Sequence, residues 1–390
     1  MARLILQKGR EGRALAGHPW IYRDEIARVE GAWTPDEAVA VHARDGTFIG
    51  RGFYNPKPAI ACRILTRRDE PIDLTFFRRR VETALAYRRG LALDTDAYRL
   101  VGSEGDLLPG LVVDCYGDLL VLQCLTLGMG QNRYLVVRVL ESLLAPRGIF
   151  FRPDRAAQTT EGVEGVPAWL RGEGTREREI REGRARFWVD IEEGQKTGFY
   201  LDQREARQAV SALAGGKRLL DAFCYTGGFA CAALLGGARE VVAIESSREA
   251  LALARRNAEL NGVADRLRLV EGNAFDELRR LERARESFDL IVLDPPSFTR
   301  RRDSVEAALR GYKEINLRAL RLLPAGGVLA TFSCSHHVSP ALFEDVLRAA
   351  AADAGRDLRL LATLIQARDH PVLLNVPETL YLKGRLCQAL

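Results

Sequence analysis

The chain contains no Cys-x-x-Cys pair, no zinc-type cysteine spacing and no Gly-x-Gly-x-x-Gly loop. Without the first two, its seven cysteines read as free thiols of a reducing cytoplasm, and no metal site is expected. Without the third, the dinucleotide fingerprint of NAD-type enzymes is excluded. No uninterrupted apolar run is long enough to cross a bilayer, and residues 1–10 lack the charged-then-apolar pattern of a leader, so no membrane partner is expected. There is no internal repeat, no low-complexity tract and no strong excess of one charge. The net charge of +5 permits a nucleic-acid partner without requiring one.

What is present is a chain of 390 residues, 47% hydrophobic and 28% charged, which predicts two or three domains. Arginines cluster at Arg63, Arg67 and Arg68, at Arg78, Arg79 and Arg80, and at Arg300, Arg301 and Arg302. Residues 1–72 read as short strands of a small β-barrel, with an Asp45-Gly46 hairpin turn and Asn55-Pro56 as a stop. Residues 73–185 read as a small α+β domain and a connection. They hold a helix over 74–91, a hairpin turning at Tyr116-Gly117-Asp118, a second helix from NRYLVVRVLESLL, and an irregular Gly/Glu/Arg-rich stretch over 159–184. From 186 to 390 the texture changes. RLLDAF, EVVAIE, LRLVEG, FDLIVLDPP and GVLATFSCS are short apolar runs separated by helical segments, which predicts a doubly wound, Rossmann-like parallel sheet. One such helix, from SREALALARRNAELNG, has Ser246 or Ser247 as N-cap and Gly262 as its stop. Ligands of such sheets bind outside the carboxyl ends of the strands, and every motif below falls at such an end.

DAFCYTGGFA at 221–230 follows a strand and opens a helix, so Gly227 and Gly228 let backbone approach a ligand while helix N–H groups face it. Phe223, Tyr225 and Thr226 share that loop. Asp221 can accept from an ammonium, and Glu245, closing the next strand, can take both ribose hydroxyls. Asn273 and Ala274 end the third strand and suit an adenine edge. Together these point to S-adenosylmethionine as cofactor, against a plain tight turn for the two glycines alone.

Asp294-Pro295-Pro296 ends the fourth strand, where two prolines stiffen the loop and the carboxylate faces a flat nitrogenous ring. Phe298 either stacks on that ring or is an ordinary core or lid aromatic. Cys334, in TFSCSHH after the fifth strand, is the candidate nucleophile. Carbon 5 of cytosine reacts poorly with a methyl sulfonium until a thiolate adds at carbon 6, and Asp294 can hydrogen-bond ring N3 as charge develops there. The alternative for Cys334 is a small buried core residue. His336 and His337 either tune the thiol, contact phosphate, or are simply exposed. Cys224 competes as nucleophile but lies among cofactor-binding residues. Arg300, Arg301 and Arg302 set positive charge beside the DPP loop, either for RNA phosphates or as a solvated surface.

These residues resemble the RlmI family of 23S ribosomal RNA (cytosine-5) methyltransferases over nearly the whole chain. HPWIY at 18–22 and GFYNPKPAIACR at 52–63 look like that family's N-terminal PUA domain, an RNA-binding barrel, and EGDLLPGLVVDCYGD at 104–118 looks like its central domain. GQKTGFYLDQREAR at 194–207 is similar to a family segment that borders the cofactor, which implies roles for Lys196, Thr197, Phe199, Asp202 and Arg204. The family's nucleophilic cysteine falls in SCSHH and none follows DPP, matching Ser297 here. The resemblance implies ribosomal RNA as partner and a homodimer. Asn273 stands where many methyltransferases have Asp. Related guanine-methylating enzymes share LDQR and DPPSF but lack the cysteine, so Cys334 carries the choice of reaction. A guanine-modifying enzyme and a non-catalytic RNA-binding assembly factor stay open at this point.

Overall fold

The computed structural model describes residues 2–299 and 304–390. One unit comprises Met1–Ile180, Val189–Leu201 and Arg368–Thr379, and the other Arg181–Trp188, Asp202–Ala367 and Leu380–Leu390.

The first unit begins with a six-stranded sheet. Its strands are β1 (Arg3–Leu6), β2 (Trp20–Tyr22), β3 (Ile26–Glu30), β4 (Ala38–His42), β5 (Phe48–Tyr54) and β6 (Ile60–Thr66), in the order β2-β6-β5-β4-β1-β3. A short helix, α1 (Gly12–Leu15), lies between β1 and β2 in sequence. Only the β1–β4 pair is parallel. Alternating residues bring Leu4, Leu6, Val39, Val41, Ile49, Cys62 and Ile64 into one core. The expected turn joins β4 to β5. Gly46 has φ +94°, which glycine adopts at little cost, and Asp45 accepts from the Thr47 N–H at 2.9 Å.

A second sheet in this unit has its own core of Phe76, Phe77, Leu100, Leu111, Leu122, Val136 and Phe151, among others. Its strands are β7 (Ala97–Gly102), β8 (Leu111–Tyr116), β9 (Leu119–Cys124), β10 (Gly148–Phe151) and β11 (Ala168–Gly172), ordered β11-β10-β9-β8-β7. Helices α2 (Leu74–Gly90), α3 (Leu127–Gln131), α4 (Arg133–Leu144) and α5 (Arg155–Glu161) accompany it. Asp73 caps α2 by accepting from Phe76 N at 3.0 Å. Tyr116 pairs with Leu119, so the hairpin loop is Gly117-Asp118 alone.

The stretch expected to be irregular is not. It contains the end of α5, β11 and β12 (Glu177–Glu182), and β12 pairs with β13 (Ala185–Asp190). Both β11 and β12 carry Arg or Glu at exposed positions, and β11 is an edge strand. Charged edges keep such strands from pairing with other chains, and in sequence they look like loops.

The second unit holds a seven-stranded sheet. Its strands are β14 (Arg218–Ala222), β15 (Glu240–Glu245), β16 (Leu267–Glu271), β17 (Leu290–Leu293), β18 (Val328–Ser333), β19 (Leu358–Leu364) and β20 (Lys383–Ala389). The order is β16-β15-β14-β17-β18-β20-β19, with the first five parallel and β20 antiparallel to both neighbours. The doubly wound expectation holds, with two further strands beyond the five apolar runs. Helices α6 (Arg204–Leu213), α7 (Gly228–Leu235), α8 (Arg248–Leu260), α9 (Ala274–Arg283), α10 (Val305–Leu322) and α11 (Pro340–Ala354) complete it. Ser247, not Ser246, caps α8, accepting from Ala250 N at 3.1 Å. The strand order reverses between β14 and β17, and in open sheets of this kind ligands bind at such a switch point, outside the carboxyl ends of the strands.

Candidate functional site

Carboxylates gather at these strand ends. Asp221, next to last in β14, is fully buried. Its Oδ2 accepts from Ala230 N at 3.0 Å, while its Oδ1 has no partner among the described residues. Burial first, then the charges of Asp294 and Glu245, push this carboxyl up to about 8. A buried, orphaned carboxylate oxygen beside two more acidic groups is a socket for a cation. The ammonium of a methionine moiety fits it in charge and in donor chemistry.

The loop after β14 is held in an uncommon conformation. Phe223 and Tyr225 have φ of 67° and 48°, in the left-handed region. Non-glycine residues there cost of order 1–3 kcal/mol each and cluster at ligand sites. The restraints are visible: Cys224 N donates to Ile244 O at 3.0 Å, Tyr225 N to Glu245 Oε2 at 3.0 Å and Gly227 N to Cys224 O at 2.8 Å. Gly227 itself has φ 78°, and a Cβ there would lie 3.1 Å from that of Ala254 in α8. Thr226 is buried, its carbonyl accepting from Asn257 Nδ2 at 3.0 Å, and Gly228 opens α7. Cys224 is buried, and burial followed by Asp221 and Glu245 pushes its thiol well above the ordinary range. It is a poor nucleophile.

Glu245 ends β15. Its Oε1 accepts from Ser246 N at 2.7 Å and Ser247 N at 3.1 Å, which fixes the carboxylate and leaves lone pairs for further donors. Asn273 is exposed and caps α9, accepting from Phe275 N at 2.9 Å. The Ala274 side chain packs into the core, so its backbone is what remains to meet a ligand.

Asp294 follows β17 and accepts from Gln203 Nε2 at 2.9 Å. Pro295 is buried and Pro296 exposed. Phe298 is half-buried within an aromatic cluster, with ring centroids 4.6 Å from Tyr312, 5.6 Å from Phe275 and 6.4 Å from Phe223. The DPP loop and the cysteine loop are tied together. Ser297 Oγ lies 3.1 Å from Ser335 Oγ, which lies 2.9 Å from the Tyr312 hydroxyl. Cys334, between the buried Ser333 and Ser335, is half-buried, whereas the other six cysteines are buried. His336 is exposed and meets the half-buried His337 ring edge-on at 5.4 Å.

The segment before α6 is divided between the two units. In the first, Thr197 donates to Asp114 Oδ2 at 2.6 Å and lies 2.9 Å from the Tyr116 hydroxyl. Phe199 N donates to Tyr116 at 3.3 Å, and Lys196 Nζ sits 4.5 Å above the Tyr200 ring. In the second, Asp202 is buried and accepts from the Tyr381 hydroxyl at 2.7 Å, and Arg204 is buried at the start of α6. Arg300, Arg301 and Arg302 lie outside the described residues. Sequence reasoning missed Gln203, Phe275, Tyr312, Ser335 and Lys383. The last is a buried lysine whose Nζ donates to Ser335 O at 2.8 Å, and nothing in YLKGR signals that neighbourhood.

This fold and site define a methyltransferase of the S-adenosylmethionine-dependent class, and residues 152–376 match the family described by that cofactor. Residues 4–67 match the PUA-like domain. The chain is 42% identical, over its whole length and 98% of the relative's, to a Klebsiella pneumoniae protein named ribosomal RNA large subunit methyltransferase I. An Escherichia coli protein of the same name is 41% identical over all of this chain and 99% of its own. The chain belongs to the ribosomal RNA large subunit methyltransferase I family. Solved structures agree on the fold. A Streptococcus mutans protein assigned to the SAM-dependent methyltransferases superposes with TM-score 0.86 at 21% identity, covering all of both chains. A methyltransferase-like structure complexed with SAH gives TM-score 0.87 at 22% identity, again covering all of both chains.

Proposed function

We propose that this methyltransferase acts on carbon 5 of a cytosine in large-subunit (23S) ribosomal RNA, through a transient bond between Cys334 and carbon 6 of the base. The observation that carries this reading is Cys334 itself, the one cysteine not buried, on a loop tied to the DPP loop by the Ser297–Ser335 contact. The names of the relatives point the same way for the RNA.

When bound, the cofactor supplies an electrophilic methyl group. Asp221 holds its ammonium, Glu245 its ribose hydroxyls, and Asn273 with the Ala274 backbone its adenine edge. Phe223, Tyr225, Thr226, Gly227 and Gly228 wall the site, with Asp202 and Arg204 bordering it. Asp294 hydrogen-bonds ring N3, Pro295 and Pro296 keep that loop stiff, and Phe298 offers a flat surface. The Cys334 thiolate adds at carbon 6, and the displaced electron pair makes carbon 5 nucleophilic toward the methyl. Loss of the carbon-5 proton to water then expels the thiolate and restores the ring.

In this reading residues 1–72 bind RNA, 73–185 form a central domain and 186–390 carry the chemistry. A cleft of about 330 Å³ lined by Arg67, Arg68, Arg79 and Arg80, with Glu70 as its one carboxylate, supports contact with phosphates. Arg300, Arg301 and Arg302, which follow the DPP loop in sequence, are assigned the same role. A homodimer in the cytoplasm is part of the same proposal and rests on the family resemblance and the free thiols.

The test uses large-subunit RNA fragments transcribed with 5-fluorocytidine, whose fluorine cannot leave as a proton does. A cofactor-dependent covalent adduct at Cys334, absent in Cys334→Ser, is the expected result. Full methylation of ordinary RNA by Cys334→Ala would refute the proposal and favour guanine modification.

A further inference from the structure

We propose that Lys383 is a positioning residue for the nucleophile: its ammonium, fixed beside the loop that carries Cys334, holds that thiol as the thiolate. The inference rests on the reading of Cys334 given above and extends it to a residue on a different strand.

The placement follows from the sheet. Lys383 opens β20 and pairs across the antiparallel ladder with Ser333, the last residue of β18 and the one before Cys334. Its side chain turns inward and is only 3% exposed. Nζ donates to Ser335 O at 2.8 Å and to Tyr381 O at 2.9 Å, so the cation is anchored at the residue just after Cys334. An ammonium has three N–H donors, and among the described residues these two carbonyls are its only acceptors. No carboxylate pairs with it there either. A buried cation without a counter-ion is unfavourable, and a thiolate is the anion this neighbourhood can provide.

The other titratable groups near the sulfur are Tyr312 from α10 and, on its own loop, His336 and His337. Burial raises the Tyr312 hydroxyl, with Cys334 adding to the rise, so it stays a neutral donor. Burial pulls Lys383 down to about 8, while the Cys334 charge pushes it back up. The two groups therefore sense one another, and charging either favours charging the other. The proton balance is simple. The thiol proton goes to solvent as the ion pair forms, and the ammonium keeps its three protons throughout. The thiolate's charge passes to the ring on addition and returns on elimination.

A purely structural role is the competing account, since Lys383 also ties β20 to the loop after β18. The two are separated by carbamidomethylation of Cys334 with iodoacetamide, followed by peptide mass spectrometry as a function of pH, on the full chain without RNA. The burial of the other cysteines makes Cys334 the fast-reacting site, and Cys334→Ser provides the blank. In Lys383→Met the half-maximal pH is expected to rise by about one unit or more, so that labelling at pH 7 slows about tenfold. Lys383→Arg, which keeps the charge, should retain most of the wild-type profile. Lys383→Gln, which keeps an N–H for the carbonyls without the charge, should behave like the Met variant and serves if that one folds poorly. A wild-type profile in Lys383→Gln would overturn the proposal, as would an equal shift in His336→Ala or His337→Ala. Because the labelling reads thiol acidity alone, it fails or succeeds independently of the fluorocytidine adduct.

Discussion

Asp221 offers the sharpest physical test of the cofactor site. In the free protein its carboxyl is raised from 3.8 to about 8, so at neutral pH it is mostly the uncharged acid. An ammonium ligand needs the carboxylate, and binding must therefore expel a proton. At pH 7 about nine-tenths of a proton should be released, and affinity should climb nearly tenfold per pH unit from 6 to 7.5 before levelling above 8. Calorimetric titration with S-adenosylmethionine in two buffers of different ionisation enthalpy reads both quantities. Asp221→Asn should bind about ten- to a hundredfold more weakly, with a flat pH profile, in line with about 1.5–3 kcal/mol for a charged hydrogen bond. The same shift acts on stability with a definite sign. The folded-state value lies above the unfolded one, so folding is favoured below pH 4 and that contribution is lost as pH rises through 8. The gap corresponds to an upper limit of roughly 6 kcal/mol at 1.36 kcal/mol per pH unit. Asp221→Asn should thus be more stable than the wild type at pH 8.5 while losing its ligand. A flat affinity between pH 6 and 8, with no buffer-dependent heat, would refute the reasoning.

Two further outcomes are expected. Gly227→Ala places a side chain at φ 78° and 3.1 Å from the Ala254 Cβ, so it should cost roughly 1–2 kcal/mol in denaturant melts and weaken cofactor binding more than RNA binding. Replacing Arg68 and Arg79 by Ala in the cationic cleft should reduce the slope of log affinity against log salt by about one to two for RNA. Cofactor affinity should be untouched, and an unchanged slope would show that the cleft meets no phosphate.

Much of the backbone geometry around the glycine loop was legible because it depends on local sequence. A strand, a glycine loop and a helix start are contiguous, so DAFCYTGGFA declares its own geometry, and Glu245 and Ser247 follow by counting to the next strand end. That the loop carrying Cys334 follows a strand was legible for the same reason. Lys383 was not, because an antiparallel strand inserted between β18 and β19 is a long-range pairing without a local signal. Gln203 and Ser335 were invisible likewise: each acts through a partner 91 or 38 residues away. The charged strands β11 and β12 were misread because edge strands are selected for polarity, which is also what loops show. Phe298 illustrates a further limit. Its spacing allows a stacking platform or a packed ring, and it lies in a cluster with Phe223, Phe275 and Tyr312.

The insertion of β20 has a consequence for assembly. It comes last of the seven strands in chain order, yet both β18 and β19 depend on it for hydrogen-bonding neighbours on one side. Until it docks, two apolar ladders stand open and β19 has nothing to pair with. In the proposal made above for Lys383 the reactivity of Cys334 depends on this final strand, so a version truncated before residue 383 should be both sticky and chemically quiet.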